Sequence, residues 1–448
     1  MSFQDEVHSF LANYPDTEVV EVLTTDINGV FRGKQYPASG LVDMGAKGVT
    51  LPLSTLLFDA QGGVPVDVFE VTHPGDPDNA FVAIPGTLCA VPWSDHRAAQ
   101  VLVEARARDG SRESWCPRAA LVRILETLAK DGLHPVVAVE LEFYLLDPKS
   151  IPPKPAAPPS GLPKLEGPQC LSMEAFHDFA PFIREVEAAC KALGVPVTSI
   201  LSEYGDGQFE ANLKHNNNVL RACDEAMLLK RAIKEVARKR GLLASFMAKP
   251  LADCTGNGLH VHTSVLDSHG SNVFGVSDGE KRLEAAVGGI VASLPESIAL
   301  IAPNANSYRR FQEGFFVPTQ ATWGENHRSV AIRLPLADAT SRRLEHRVAG
   351  ADACPYLVVA ALLAGLHHGI NNDLKPHERI AECERLRPAP EFPIRWREAL
   401  NVLENGDILS NYLGEDFVTI YLRTKRNEEA RFNAEVSDRD YAWYLRVV

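Results

Sequence analysis

Residues 136–146 read VVAVELEFYLL, an apolar run in which Glu140 and Glu142 are the only charged positions. A run of this length and β-branched content predicts a strand covered on both faces, and residues two apart in a strand point to the same side. Two carboxylates on one face of such a strand repel each other, and burying them without a cation costs several kcal/mol per ion. Any fold that accepts this strand must bring positive charge to that face, and a divalent cation does so most compactly. The same pair on an exposed sheet edge would need no partner, but the apolar flanks argue for burial.

Three further stretches have the same character. In SEYGDGQFEANL, Glu203 and Glu210 bracket Gly205 and Gly207, and glycines that allow a sharp turn let the two acids converge on one point. In GNGLHVHTS, His260 and His262 share a strand face, while Leu259 and Val261 take the other. In RRLEHRVAGADACPYL, Arg343, Glu345 and Arg347 alternate, a pattern that taken alone equally describes a ladder of surface ion pairs. Together, five glutamates and one histidine form an oxygen-rich set suited to magnesium or manganese, with little reason to select zinc.

The rest of the chain narrows the class. At 448 residues and 45% hydrophobic content it can build a large core plus a smaller one. A net charge of −13, with no basic track interleaved with aromatics, argues against nucleic acid as a partner. MSFQDEVHSF lacks the order of a signal peptide, and no window is expected to cross a bilayer, so the expectation is a cytoplasmic protein with no membrane partner. Eight cysteines without a C-x-x-C read as reduced structural thiols, none standing out as a nucleophile. VVEVLTTDINGVFRGKQYP predicts a hairpin turning at Asn28-Gly29 within a small β domain, and a larger α+β domain begins near Ser111. The proline-rich SIPPKPAAPPSGLPKLEGP predicts a surface loop or lid. NNVLRACDEAMLLKRAIKEVARKRGL predicts a long amphipathic helix whose Arg238, Lys239 and Arg240 are solvated charge at its C-terminal end.

In order, VELEF, EYGDGQFE, GNGLHVHTS, NSYRRF, ENHRSVAIRLP and RRLEHRVAGADACPYL make the chain resemble the type I glutamine synthetase superfamily over nearly its whole length. The resemblance implies an α+β fold with a β-grasp domain over 1–110 and a catalytic domain over 111–448, built on a curved antiparallel sheet flanked by helices. It implies homo-oligomeric rings, hexamers or dodecamers, in which the neighbouring subunit's N-terminal domain completes each site. It also implies ATP as co-substrate, two or three magnesium or manganese ions per site, and glutamate activated as γ-glutamyl phosphate. Carried over by motif, Glu142, Glu203 and Glu210 would hold one ion and Glu140, His260 and Glu345 another. Gly256, His260, Arg310 and Arg347 would meet glutamate. His262, Ser264, Arg328 and Arg333 would meet the nucleotide, and Arg328 and Arg347 would act in catalysis.

The departures from that pattern point to the second substrate. Glutamine synthetases of this type carry an aspartate in an FDGSS-like motif and a glutamate in GYEAP, which together cradle ammonium. Here the stretches read LPLST, with Pro52, and GFFVP, with Phe316, although a shifted alignment brings Asp59 of FDAQG near the first. Without the acids, apolar surface at Pro52 and Phe316 favours a small organic amine at about 25 cal/mol per Å² buried. The expected activity is that of a γ-glutamylamide synthetase, close in character to γ-glutamylpolyamine and γ-glutamylamine synthetases. Ordinary glutamine synthetase and a non-catalytic scaffold are the alternatives. Lacking an acid for a distal ammonium, the sequence leans towards a monoamine. Cys354, where the family has asparagine, reads as a packing change.

Overall fold

The alternating segment VVEVLTT forms strand β1 (Val19–Thr25), which pairs antiparallel with β2 (Phe31–Pro37). The turn expected at Asn28-Gly29 is a three-residue loop closed by the Asp26 N–H donating to the Val30 carbonyl. Only Gly29 takes a left-handed φ there, 68°. The Asp26 carboxylate sets this shape by accepting from the N–H groups of Asn28 and Val30, each at 2.9 Å. The computed structural model describes residues 2–448 except 66, 69–73, 96, 164, 166, 313 and 315 and the side chain of Ala46.

Strands β3 (Val49–Pro52), β4 (Asp78–Ala83), β5 (Cys89–Ala90) and β6 (Ala98–Arg106) complete the first sheet, in the order β2-β1-β6-β4-β3 with β5 on β6. β1 and β6 run parallel and the other pairs antiparallel. Residues 107–133 separate this sheet from the next and include the helix Pro117–Lys130, whose first turn carries a proline where no N–H partner is needed.

The second sheet carries the acidic motifs. It contains β7 (His134–Leu146), β8 (Val197–Ser202), β9 (Gln208–Leu213), β10 (Leu243–Ser245), β11 (Leu259–Leu266), β12 (Trp323–Glu325), β13 (Ile332–Leu334) and β14 (Leu344–His346). The order is β12-β13-β14-β11-β7-β9-β8, with β10 also on β7, and only β12 and β13 pair parallel. β7 is central, and its register is informative: Glu140 faces His260, Glu142 faces Glu210, and further across the sheet Glu345 faces both His262 and Arg333. A one-residue slip of any of these strands would turn its charged residues to the opposite face.

The amphipathic segment forms the helix Val219–Lys239, with Arg238 paired to Glu235 and Lys239 and Arg240 reaching Glu185. The described part of the proline-rich stretch holds no helix or named strand, but it is not wholly at the surface, because Ala156 is buried. One helix among the described residues, Gly279–Ile301, has the length and composition of a bilayer span, yet most of it is buried in the protein. It packs on the helix Pro355–Asn371, where Gly289 and Gly369 bring the two backbones so close that a Cβ on Gly289 would lie 2.4 Å from the Gly369 Cα.

The helix Glu415–Ala434 returns to the first sheet. Lys425, fully buried, donates to the Asn28 side chain and to Glu428, and Arg431 pairs with buried Asp59. Asp59 also accepts from the N–H groups of Gln61 and Gly63, so its carboxylate is committed to the fold.

Candidate active site

The second sheet opens on a cavity of about 570 Å³ lined by five carboxylates (Glu140, Glu142, Glu203, Glu210, Glu345), two histidines (His260, His262) and five arginines. Strand register gathers most of the acids. The ligand atoms of Glu140, His260 and Glu345 lie within 4.8 Å of one another, as do those of Glu142, Glu210 and His260. Glu203, at the turn after β8, lines the same cavity outside both clusters and accepts from the Tyr204 N–H at 3.1 Å. His262 accepts from Arg343 at Nδ1 (3.4 Å), which leaves Nε2 to donate to Glu140 at 2.9 Å.

Burial, followed by the charge of Glu142, pushes the Glu203 carboxyl up to about 7. Burial, then Glu140, Glu142 and Glu203, raises Glu210 well above the ordinary carboxylate range. Glu140 goes the other way: burial would raise it, but hydrogen bonds from His260 and His262 hold it far below its usual value. Burial likewise opposes ionisation of Glu345, and Arg347 outweighs it, bringing the carboxyl down to about 2. The β9 side of the cavity is thus short of positive charge, and a hard divalent cation fits that donor set.

The arginines differ in how they are held. Arg333 and Arg347 both grip Glu345, the former at 2.7 Å, and Arg347 Nε also donates to the Arg328 carbonyl at 3.0 Å. Arg310 is buried, donates to the Val348 carbonyl at 2.7 Å, and has no partner for Nε among the described residues. Arg328 is exposed at the cavity. A buried, incompletely bonded guanidinium fits a carboxylate ligand, and an exposed one suits a phosphate. Gly256 lets Arg310 approach, since a Cβ there would sit 2.8 Å from Arg310 Cγ and 2.4 Å from the Ala248 carbonyl.

Two expected residues are not among those lining the cavity. Pro52 ends β3 in the first sheet, opposite Asp78. Ser264 shares the face of β11 with the two histidines but lies farther along the strand, opposite Val136. Phe316 does line the cavity; its φ is 55°, and its ring lies 5.4 Å from that of Tyr204 at 43°. Sequence reasoning missed Tyr204, Leu171, Leu336 and Asn326, which also line it, and treated Cys170 as structural although it faces the cavity. Burial and Glu203 raise the Cys170 thiol, away from the nucleophilic thiolate. Tyr204 lay within the quoted EYGDGQFE and follows a cavity acid directly, a signal that was available. Leu171 and Leu336 carried none.

Residues 114–444 match the family described as glutamine synthetase, catalytic domain. Gamma-glutamylputrescine synthetase PuuA of Escherichia coli (strain K12) is 39% identical over 451 residues, 99% of this chain and 95% of that protein. Glutamate–isopropylamine ligase of a Pseudomonas species is 31% identical, covering 99% of this chain and 98% of its own. Gamma-glutamylethanolamide synthetase GlnA4 of Streptomyces coelicolor is also 31% identical, covering 99% and 94%. Among solved structures, ligand-free GmaS superposes with a TM-score of 0.86 at 27% identity, over 98% of this chain and 99% of that one. The ordered strands, the acid and histidine clusters on one face and this similarity along almost the full length agree: the chain belongs to the glutamine synthetase family.

Proposed function

We propose that this protein is an ATP-dependent γ-glutamylamide synthetase. ATP phosphorylates the glutamate γ-carboxylate, and a primary amine then displaces phosphate, leaving a γ-glutamylamide, ADP, phosphate and the proton of the amine. In this reading residues 1–110 are the N-terminal domain and 111–448 the catalytic domain. Glu140, His260 and Glu345 would hold one magnesium or manganese ion and Glu142, Glu203 and Glu210 another. Such ions, when bound, neutralise phosphate charge.

The side chains do the remaining positioning. Arg310, Gly256 and Arg347 receive glutamate, Arg347 being held in place by Glu345. Arg328 and Arg333 meet the phosphates, where cationic positioning matters more than covalent help. His262, oriented by Glu140 and Arg343, lies towards the nucleotide, with Ser264 beyond it. Divalent cations, when bound, would keep Glu203 and Glu210 ionised and supply positive charge towards a polyanionic nucleotide. Pro52 would reach the site from a neighbouring copy in a homo-oligomeric ring.

The observation that supports an organic amine over ammonia is Phe316, set against Tyr204 where ammonia-using members carry an acid. The similarity to three proteins named for amine ligation supports the same reading. The test is phosphate release with ATP, glutamate and a panel of primary amines, compared with ammonium at equal free base, since only the unprotonated form is nucleophilic. Amines should exceed ammonium, and Phe316→Glu should weaken apolar amines by facing a hydrocarbon tail with a carboxylate. A wild-type preference for ammonium over every amine would restore ordinary glutamine synthetase.

A further inference from the structure

Phe316 and Val317 line two cavities at once: the one that holds the acids, and a second of about 380 Å³. The second is also lined by Pro318, Thr319, Gln320, Ser329 and Leu386, and none of its described lining residues is charged. The shared wall is unusual in itself. Phe316 adopts a left-handed backbone, which is uncommon for a bulky residue with a side chain. That conformation sets its ring beside Tyr204, and both rings stay open to solvent, Phe316 at 47% and Tyr204 at 41% exposure. The exposed aromatic pair is an unfilled apolar surface on the acid-bearing cavity, and its Phe316 also borders a second pocket of hydroxyls, one amide and aliphatic carbon.

We propose, building on the γ-glutamylamide synthetase reading, that the second cavity receives the far end of the amine substrate and selects primary amines whose tail is uncharged, alkyl, aryl or hydroxyl-bearing. The amino group lies on the acidic side, the first carbons cross the Tyr204–Phe316 rings, and the tail ends among Thr319, Gln320 and Ser329. Hydroxyl and amide groups satisfy a tail hydroxyl, and Val317, Pro318 and Leu386 bury carbon. A second ammonium, such as that of putrescine, would lose hydration in this pocket without gaining a carboxylate from its described lining.

The experiment measures kcat/KM per free base for methylamine, n-pentylamine, aminopentanol and putrescine on the intact enzyme. Putrescine and n-pentylamine have the same number of heavy atoms, so their comparison isolates the distal charge. n-Pentylamine and aminopentanol should exceed both methylamine and putrescine by about tenfold or more, after allowing for the two reactive ends of putrescine. Thr319→Trp, which fills the second cavity, should lower the ratio of pentylamine to methylamine use by about tenfold. Ser329→Trp fills the same cavity from another segment and serves if the first variant does not fold. Putrescine outperforming n-pentylamine, or an unchanged ratio in a folded variant, overturns the proposal. So does loss of every amine together with a smaller assembly mass, which would assign the cavity to a neighbouring copy. Failure of the underlying reading looks different: ammonium would then outperform all four amines.

Discussion

Metal-free protein should become less stable as the solution is made alkaline, the reverse of the usual behaviour of paired carboxylates. Glu203 is held up to about 7 and Glu210 well above 4.5, whereas in the unfolded chain both titrate near 4.5. Between those values the folded protein keeps protons that the unfolded chain has released, so raising the pH favours unfolding. Their favourable contribution is full below the unfolded value and is lost as the pH climbs through the folded one. For Glu203 alone, the interval from 4.5 to about 7 corresponds to about 3 kcal/mol. Of this, about 2 kcal/mol falls between about pH 5.5 and about pH 8.5; a chain of 448 residues has an unfolding entropy of about 0.9 kcal/mol per K, so it amounts to about 2 °C in Tm, with Glu210 adding in the same direction. Differential scanning calorimetry in chelator at about pH 5.5 and about pH 8.5 reads the effect. Glu203→Gln and Glu210→Gln should each flatten the dependence, because an amide does not ionise. Added manganese should raise Tm more at the higher pH, where the acids are charged and ready to bind it. Equal metal-free Tm values for wild type and both variants at the two pH values, or a manganese effect independent of pH, would refute the charge-crowding account.

Glu142→Ala or His260→Ala should abolish phosphate release while leaving a folded protein, since either change breaks the donor set; full turnover by either variant would sink the assignment. Arg347→Lys keeps the charge but loses the fork that holds Glu345, so the KM for glutamate should rise at least about tenfold while ATP binding, followed by calorimetry, is largely preserved. Lys425→Ala leaves Asn28 and Glu428 without their buried cation and should cost about 3–5 kcal/mol in urea unfolding; a loss below about 1 kcal/mol would show that water replaces it.

What the sequence revealed, it revealed through periodicity and charge. Two glutamates in an apolar run announced β7, and the His-x-His pair announced the facing strand, because a period of two fixes which side chains share a face. The register that sets Glu142 opposite Glu210 followed no local signal; it depends on pairing between strands far apart in the chain. The apolar residues lining the cavity were less legible for the same reason. Leu171 and Leu336 read as ordinary loop residues, and only the fold brings them to the cavity. The helix Gly279–Ile301 shows the limit of hydropathy, which alone does not distinguish a helix buried by protein from one buried by lipid. Asp59, an alternative acid for the site by sequence, is occupied by Arg431 and its own loop.

Lys425 donates to Asn28 across 397 positions, so a helix made long after the β1–β2 hairpin completes its loop. On a ribosome adding about 5–20 residues per second, that loop waits roughly 20–80 s for its partner. The strands of the first sheet can pair during the interval, but the Asn28 carboxamide oxygen must meanwhile bond to water. A nascent chain halted before the helix Glu415–Ala434 therefore leaves this hairpin loop unfastened.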